Sequence, residues 1–232
     1  MNRQAVNPYL PSWEYIPDGE PHVFNGRVYV YGSHDRFNAP IFCVNDYVCW
    51  SAPVEDLSEW RYEGVIYRKK QDPKNPLGYH LLFAPDVCQG PDGRYYLYYA
   101  FDFLGIMSVA VCDTPAGEYK FLGHIHYADG TLWGRRRGDQ LPFDPGVLAD
   151  DDGRVWLYSG FYNAVPAILT GGHKLRCDGG TVLELEKDMV TIKTEPRVIF
   201  PKKGPGAFQG HEFFEASSIR KEGKTYIFVY SS

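Results

Sequence analysis

An acidic residue followed by a short β-hairpin recurs four times along this chain, and this repeat constrains the fold more than any other feature. Each copy holds the acid, a short run, a turn glycine and a run rich in aromatic and β-branched residues. The turn glycines are Gly26, Gly93, Gly153 and Gly223, and the acids 8, 7, 9 and 8 residues before them are Asp18, Asp86, Asp144 and Glu215. Self-similarity at a period of about 65 residues predicts a repeat of four-stranded propeller blades with long loops.

The clearest copy of the repeat is the segment 143–161, which reads FDPGVLADDDGRVWLYSGF. Its Asp-Asp-Gly at 151–153 predicts a tight hairpin turn of type I′, because that turn needs positive φ angles, which Asp and Gly tolerate best. The flanking runs 146–149 and 155–158 have the length and composition of strands. The segment therefore predicts an acid at the entrance of one strand and a hairpin into the next.

The remaining strands are predicted between these hairpins, with the polar, proline-rich stretch 69–79 as a loop. Outside the hairpins, the predicted strands lie within 43–51, 61–67, 105–115, 117–125, 164–175 and 181–192. A propeller must close its ring to protect its edges, and the fourth repeat stops after its second strand. We therefore expect residues 1–232 to form a single, C-terminally incomplete propeller domain of about three and a half blades.

The composition suits an all-β protein with many short strands and argues against a nucleic-acid role. The chain has 18 Tyr, 14 Phe and 5 Trp, and aromatic surfaces of this kind are what sugar rings stack on. Its net charge of −5 argues against a nucleic-acid partner, since binding to phosphates needs a basic footprint. The one basic run, 135–137, is interpreted as a solvated loop.

The cysteines and the N-terminal segment bear on location. Five cysteines without a C-x-x-C pattern favour reduced thiols in an intracellular protein over a zinc or redox site. The first residues, MNRQAVNPYLP, lack the apolar core of a signal peptide, and no run of about 18 apolar residues predicts a membrane span. We expect a soluble, cytoplasmic protein with no membrane partner.

The four acids are expected to converge, although they lie far apart in the sequence. The innermost strand of each blade lines the central channel, so an acid at its start projects toward one mouth of that channel. Carboxylates brought together are costly to ionise at once, which separates their pKa values. One protonated and one ionised carboxyl group are what cleavage of a glycosidic bond requires.

Four segments in this order resemble glycoside hydrolase family 43, the five-bladed β-propeller enzymes that include β-xylosidases, α-L-arabinofuranosidases and arabinanases. The resemblance runs along the whole chain. The segments that carry it are 7–35, 83–100, 143–160 and 213–232, which contain PDGEPHVFNGRVYVYGSHD, FAPDV, FDPGVLADDDGRVWLYSG and FFEASSIRKEGKTYIFVYSS.

The resemblance implies a role for each matching residue. Asp18 matches the general base that activates water, Glu215 the general acid, and Asp144 the acid that tunes and holds the proton donor. The implied reaction inverts the anomeric configuration of a terminal arabinofuranosyl or xylosyl residue of a plant cell-wall oligosaccharide. Phe143 and Phe83 are expected to form apolar walls against the sugar, with Phe83 standing where relatives commonly have Trp.

Asp86 lies in the family's APD motif and is placed outside the catalytic set. Three alternatives remain open: Asp150–Asp152 in place of Asp144, Glu212 in place of Glu215, and a metal site at His124 and His126. No cofactor is expected to be required, and no residue can be assigned to the channel calcium that some family members hold. The alternative function is a non-catalytic glycan-binding propeller.

Overall fold

The computed structural model describes residues 8–232, which form fourteen β-strands in four antiparallel sheets. The first sheet contains β1 (Glu20–Phe24), β2 (Arg27–Tyr31), β3 (Tyr47–Pro53) and β4 (Arg61–Tyr67). The second contains β5 (Asp86–Gln89), β6 (Tyr95–Ala100), β7 (Met107–Cys112) and β8 (Lys120–His124). The third contains β9 (Gly146–Ala149), β10 (Val155–Ser159), β11 (Gly179–Leu185) and β12 (Arg197–Pro201), and the fourth contains β13 (Glu215–Glu222) and β14 (Thr225–Ser231).

Each sheet is an up-and-down meander in which strands pair in the order of the sequence. Such a meander is a propeller blade, so the prediction of an all-β chain with three and a half blades is confirmed. Among the described residues, the sole helical element is a 3₁₀ turn at Lys69–Gln71, inside the predicted loop. No helix in that part of the chain is long and apolar enough to span a membrane.

The first strands of the four blades face one another around a central channel. Residues of β1, β5, β9 and β13 line a channel cavity of about 650 Å³. The strands β9 and β13 approach so closely that a Cβ atom at Gly146 would lie 2.5 Å from the backbone oxygen of Ser217. Gly146 therefore permits a contact between blades that no other residue would allow.

The core lies between neighbouring blades rather than inside any one of them. The space between the first two blades is filled by buried aromatic side chains, including Tyr31, Tyr47, Tyr99 and Phe101. The hydroxyl groups of the three tyrosines are hydrogen bonded; the Tyr99 hydroxyl, for example, donates to the buried carboxylate of Asp72 at 2.7 Å. Burial of these large rings on sheet faces fixes how each blade packs on the next.

Two local predictions are wrong. The hairpin between β9 and β10 is present, but only Gly153 of its turn has a positive φ (81°), so its turn is not the predicted type I′. It is a three-residue loop closed by hydrogen bonds from the N–H of Gly153 to Asp150 O and from the N–H of Asp150 to Arg154 O.

The predicted strand within 164–175 is absent, and β11 pairs with β10 in its place. Pro166 has no N–H for a ladder, and the chain turns there, with the N–H of Gly172 donating to Ala167 O at 2.7 Å. Ile168, which reads as a core residue in the sequence, is 85% exposed. The first seven residues of the N-terminal segment lie outside the described part of the chain.

Candidate active site

A pocket of about 170 Å³ at one mouth of the channel is lined by carboxylates from three blades. These carboxylates belong to Asp18, Asp144 and Glu215, the three acids singled out in the sequence. The other lining residues are Phe42, Cys43, Phe83, Ala84, Phe103, Phe143 and Phe161. The structure thus brings three acids that are 126 and 71 residues apart in the sequence to one pocket.

The backbone is kinked into the left-handed region at two of the acids and directly after the third. Asp18 has a φ of 55°, Asp144 a φ of 46°, and Ala216, which follows Glu215, a φ of 61°. Residues other than glycine rarely adopt this conformation, which costs of order 1–3 kcal/mol and persists only where the surroundings impose it. Each kink lies where the chain enters an innermost strand, so strain is concentrated at the entrance of the channel.

Asp18 is held by the residue that follows the second strand of its own blade. The hydroxyl of Ser33 donates a hydrogen bond to Asp18 Oδ2 at 3.1 Å, and Ser33 is fully buried. Because β1 and β2 are antiparallel, the end of β2 returns to the entrance of β1. This register places the Ser33 hydroxyl, as a hydrogen-bond donor, beside the Asp18 carboxylate that lines the pocket.

Asp144 is the most deeply buried of the three acids, with 7% of its surface exposed. Its Oδ2 accepts a hydrogen bond from the backbone N–H of Ala216 at 3.2 Å. Burial raises the pKa of Asp144 well above its ordinary value, the carboxylates of Glu215 and Asp18 raise it further, and the Ala216 N–H opposes them. Asp144 is therefore held beside the backbone that carries Glu215.

Glu215 is the first residue of β13 and is partly buried. Burial raises the pKa of Glu215, and the nearby carboxylate of Asp18 raises it further. A carboxyl group in this position keeps its proton to higher pH than an exposed glutamate does. Its environment thus suits a proton donor.

The walls of the pocket are aromatic. Phe143 and Phe83 lie with ring centroids 5.8 Å apart, edge to face, and are 4% and 6% exposed. Phe103 stacks on Phe143 at 5.4 Å, Phe161 lies 4.7 Å from it, and Phe42, at the opening, is 54% exposed. Both phenylalanines predicted as sugar walls line the pocket, within a larger cluster.

Sequence reasoning missed Phe42, Phe103 and Phe161. A usable signal existed for two of them, because Phe103 and Phe161 come shortly after β6 and β10, the second strands of their blades. Since second strands run antiparallel to first strands, residues that follow them return to the mouth where the acids lie. Phe42 comes from the loop between β2 and β3, whose path the sequence does not predict.

Cys43 also lines the pocket and is 3% exposed. Its N–H donates to Asp35 Oδ1 at 2.5 Å, and its φ is 56°. Burial raises the pKa of the Cys43 thiol to about 12. The group therefore stays a protonated, weakly nucleophilic thiol at neutral pH.

The prediction that all four repeat acids converge is wrong for Asp86, which lies outside the pocket because its carboxylate is bonded to residues of two neighbouring blades. It is fully buried; its Oδ1 lies 2.5 Å from His22 Nε2, and its Oδ2 accepts the Val147 N–H at 2.6 Å. These contacts join the first strands of three blades. Asp86 therefore has the contacts of a structural residue, which agrees with its exclusion from the predicted catalytic set.

A calcium ion in the channel would need six to eight oxygen ligands. Within residues 8–232, one group of potential ligand atoms lies within 4.8 Å of one another, formed by Glu20, His22 and Asp86. Asp86 is already bonded to His22, and Glu20 is bonded to Ser218 and to the Arg220 guanidinium. The Arg220 guanidinium already occupies the position of a cation beside Glu20, and the carboxylate oxygens of Glu20 and Asp86 are already hydrogen bonded. This group therefore does not fit calcium.

The structure does not bring the alternative acids to the pocket. Asp150 lies at the other end of β9, where its carboxylate accepts hydrogen bonds from Lys221 and Tyr226. Glu212 lies in the loop before β13 and accepts the N–H of Gly210 at 3.1 Å.

The two histidines of the third alternative face different partners. His124 Nε2 lies 3.1 Å from Asp72 Oδ1, whereas His126 Nδ1 lies 2.9 Å from the backbone oxygen of Tyr127. They do not form a joint metal site.

Several known proteins are similar to this chain, some in sequence and some also in fold. A xylosidase/arabinosidase of Thermoclostridium stercorarium is 61% identical over 236 residues, covering 100% of this chain and 48% of the relative. Xylosidase/arabinosidase 43A of Humicola insolens is 31% identical over 252 residues, covering 94% and 72%. The chain thus spans about half the length of the Thermoclostridium relative.

A solved β-xylosidase/α-arabinofuranosidase from a compost metagenome, in complex with xylotriose, has a TM-score of 0.71 and 27% identity. The match covers 98% of this chain and 73% of that structure. The sequence profile of glycosyl hydrolases family 43 matches residues 17–232, a span that includes all three pocket acids. The chain belongs to glycosyl hydrolases family 43.

Proposed function

We propose that the protein is an inverting glycosidase that removes terminal xylosyl or arabinofuranosyl residues from plant cell-wall oligosaccharides. The observation that carries this proposal is the pocket at the channel mouth, where three carboxylates from three blades meet an aromatic wall. The names of the two similar xylosidase/arabinosidases support the choice of sugar.

Glu215 and Asp18 divide the proton transfers in this mechanism. Glu215 donates its proton to the glycosidic oxygen as the bond to the anomeric carbon breaks. A water molecule attacks that carbon from the opposite face, and Asp18 takes the proton that the water loses. The product has the inverted configuration, and inversion requires that the two carboxyl groups lie about 6.5–9.5 Å apart.

Asp144 acts as a positioning residue for Glu215. Its hydrogen bond from the Ala216 N–H fixes the backbone directly after the proton donor. Its charge state is coupled to that of Glu215, because each carboxylate disfavours ionisation of a neighbouring one. Both effects bear on how readily Glu215 holds and releases its proton.

The apolar walls of the pocket support the binding of a sugar ring beside the acids. The pocket has a volume of about 170 Å³, and a second cavity of about 390 Å³ shares Asp18, Ala84 and Asp144 with it. Phe143 and Phe83 line the pocket within the aromatic cluster and give it the apolar wall against which a pentose ring packs.

Hydrolysis of nitrophenyl β-D-xyloside and nitrophenyl α-L-arabinofuranoside by the full-length protein tests the proposal. We expect the wild type to cleave at least one of them, and Glu215→Gln and Asp18→Asn to lower kcat by about 10²–10⁴. Glu215→Gln should retain more activity on the nitrophenyl glycoside than on xylobiose, because nitrophenolate leaves without a proton. Asp150→Asn, at the other end of β9, is the matched control and should keep its activity.

Absence of hydrolysis on both glycosides and on arabinan would overturn the proposal. If xylose or arabinose still bound to such an inactive protein, the non-catalytic glycan-binding propeller would be the better description.

A further inference from the structure

A second cleft, outside the catalytic pocket, carries the features of a carbohydrate-binding surface. It has a volume of about 400 Å³, more than twice that of the catalytic pocket. We name it the distal cleft and define it by the lining residues Trp13, Tyr15, Arg36, Phe37, Asn45 and Tyr62.

The aromatic rings of the distal cleft are presented to solvent. Trp13 is 65% exposed, Phe37 69%, Tyr62 47% and Tyr15 37%. Tyr15 and Phe37 are stacked, with ring centroids 6.1 Å apart and planes at 22°. Single exposed aromatic residues are common on protein surfaces, but a cluster of flat rings around one concave space marks a binding surface.

A buried polar network holds the floor of the distal cleft. The Glu14 side chain is 5% exposed, and it bonds His34 Nε2 at 2.9 Å and the indole N–H of Trp50 at 2.8 Å. His34 Nδ1 lies 2.8 Å from the backbone oxygen of Asp46. The network joins the N-terminal segment to the β2–β3 loop and to β3, so hydrogen bonds hold the floor of the cleft to the first blade.

The polar groups at the cleft favour an uncharged ligand rich in hydroxyl groups. The Arg36 side chain lines the cleft, is exposed, and has no hydrogen bond or ion pair within residues 8–232. The lining also holds the carboxylates of Glu14 and Asp35, so the cleft carries charges of both signs and no field of a single sign selects a charged partner. Flat apolar rings beside hydroxyl-binding groups match an oligosaccharide.

The distal cleft and the catalytic pocket are linked by hydrogen bonds of Asp35 in the β2–β3 loop. Asp35 donates its N–H to Tyr15 O at 2.9 Å on the cleft side. Its carboxylate accepts the N–H of Cys43, which lines the catalytic pocket. One residue thus contacts the walls of both sites.

From these observations we propose that the distal cleft binds a segment of a xylo- or arabino-oligosaccharide at a distance from its terminal residue. The identity of the sugar rests on the proposed function. Long chains would then bind more tightly than short ones. A chain held at the distal cleft has a raised effective concentration at the catalytic pocket, without any change in that pocket.

The test compares short and long substrates with Phe37→Ala in the full-length protein. We expect KM for xylohexaose or arabinohexaose to rise about fivefold, because stacking on one aromatic ring is worth about that factor, with kcat unchanged. Hydrolysis of the nitrophenyl glycosides should be unaffected. Phe37→Tyr, which keeps a ring, should behave as the wild type does.

Tyr79→Ala is the matched control, because Tyr79 is 80% exposed and lies in a different loop. An unchanged KM for the hexasaccharides in Phe37→Ala, or an equal rise in Tyr79→Ala, would overturn the proposal. A lowered unfolding midpoint in Trp13→Ala with an unchanged KM would also overturn it, since the rings would then serve to pack against polypeptide.

Calorimetric titration of the Glu215→Gln protein with the same hexasaccharides separates this proposal from the proposed function. Binding weakened by Phe37→Ala supports the distal cleft even if the wild type hydrolyses nothing. If the wild type hydrolyses the glycosides but Phe37→Ala does not weaken hexasaccharide binding, the proposed function holds. The proposal that the distal cleft binds oligosaccharide is then refuted.

Discussion

Replacing Asp144 by Asn should stabilise the protein at neutral pH. The Asp144 carboxyl is 7% exposed, receives one backbone hydrogen bond and lies near two other carboxylates. Its pKa is raised in the folded protein from an ordinary value of 3.8, so the folded state binds the proton more tightly than the unfolded state does. The stability that Asp144 contributes is complete below pH 3.8 and is lost as the pH rises through the folded pKa.

Asparagine has nearly the same shape and keeps an acceptor for the Ala216 N–H, but it carries no charge. We expect Asp144→Asn to raise the free energy of unfolding at pH 7 by about 1–2 kcal/mol, the usual gain when a strained functional group is neutralised. For a domain of this size the gain corresponds to roughly 2–8 °C in the unfolding midpoint. The difference should shrink toward zero near pH 4.

Urea denaturation of the two proteins between pH 4 and pH 8 measures this difference, and Asp150→Asn is the matched control. Hydrogen bonds from Lys221 and Tyr226 lower the pKa of Asp150 to about 2, so its contribution is present above pH 3.8 and is lost as the pH falls through 2. Asp150→Asn should therefore lower stability at pH 7, by about 1–2 kcal/mol. An Asp144→Asn protein that is no more stable than the wild type at pH 7 would refute the reasoning.

Two further substitutions test the backbone strain and the channel network. Ala216→Gly should raise the free energy of unfolding by up to about 1 kcal/mol with activity retained, because glycine adopts a φ of 61° without strain. A lower midpoint of thermal unfolding in this variant would contradict the strain argument. Asp86→Ala should lower stability by about 3 kcal/mol, because it leaves His22 and a backbone N–H without their buried partner. A loss below about 1 kcal/mol in urea denaturation would show that the network does not hold the blades together.

The repeat and the three acids were predictable because their signals are local. A turn glycine between two β-rich runs specifies a hairpin over a few residues, and an acid at a fixed distance before it specifies the strand entrance. The structure brings Asp18, Asp144 and Glu215 to one pocket, whereas Asp86, which the repeat also predicted there, is bonded to His22 outside it. Their chemical roles remain a prediction until activity is measured.

The features that were not predicted depend on contacts distant in sequence. Residues 164–175 read as a strand, yet Gly179–Leu185 takes that place beside β10 because it pairs along the full length of β10. The kink at Ala216 and its bond to Asp144 join residues 72 positions apart, and no local pattern encodes them. Phe42 reaches the pocket only through the path of the β2–β3 loop.

The central claim is that Glu215 and Asp18 act as acid and base on opposite faces of a terminal pentose. The most direct test follows, by ¹H NMR, the anomer first released when the full-length protein hydrolyses xylobiose or an arabino-oligosaccharide. The account predicts that the first product has the inverted configuration, α-xylose from a β-xyloside or β-arabinose from an α-arabinofuranoside. First release of the retained anomer would contradict it.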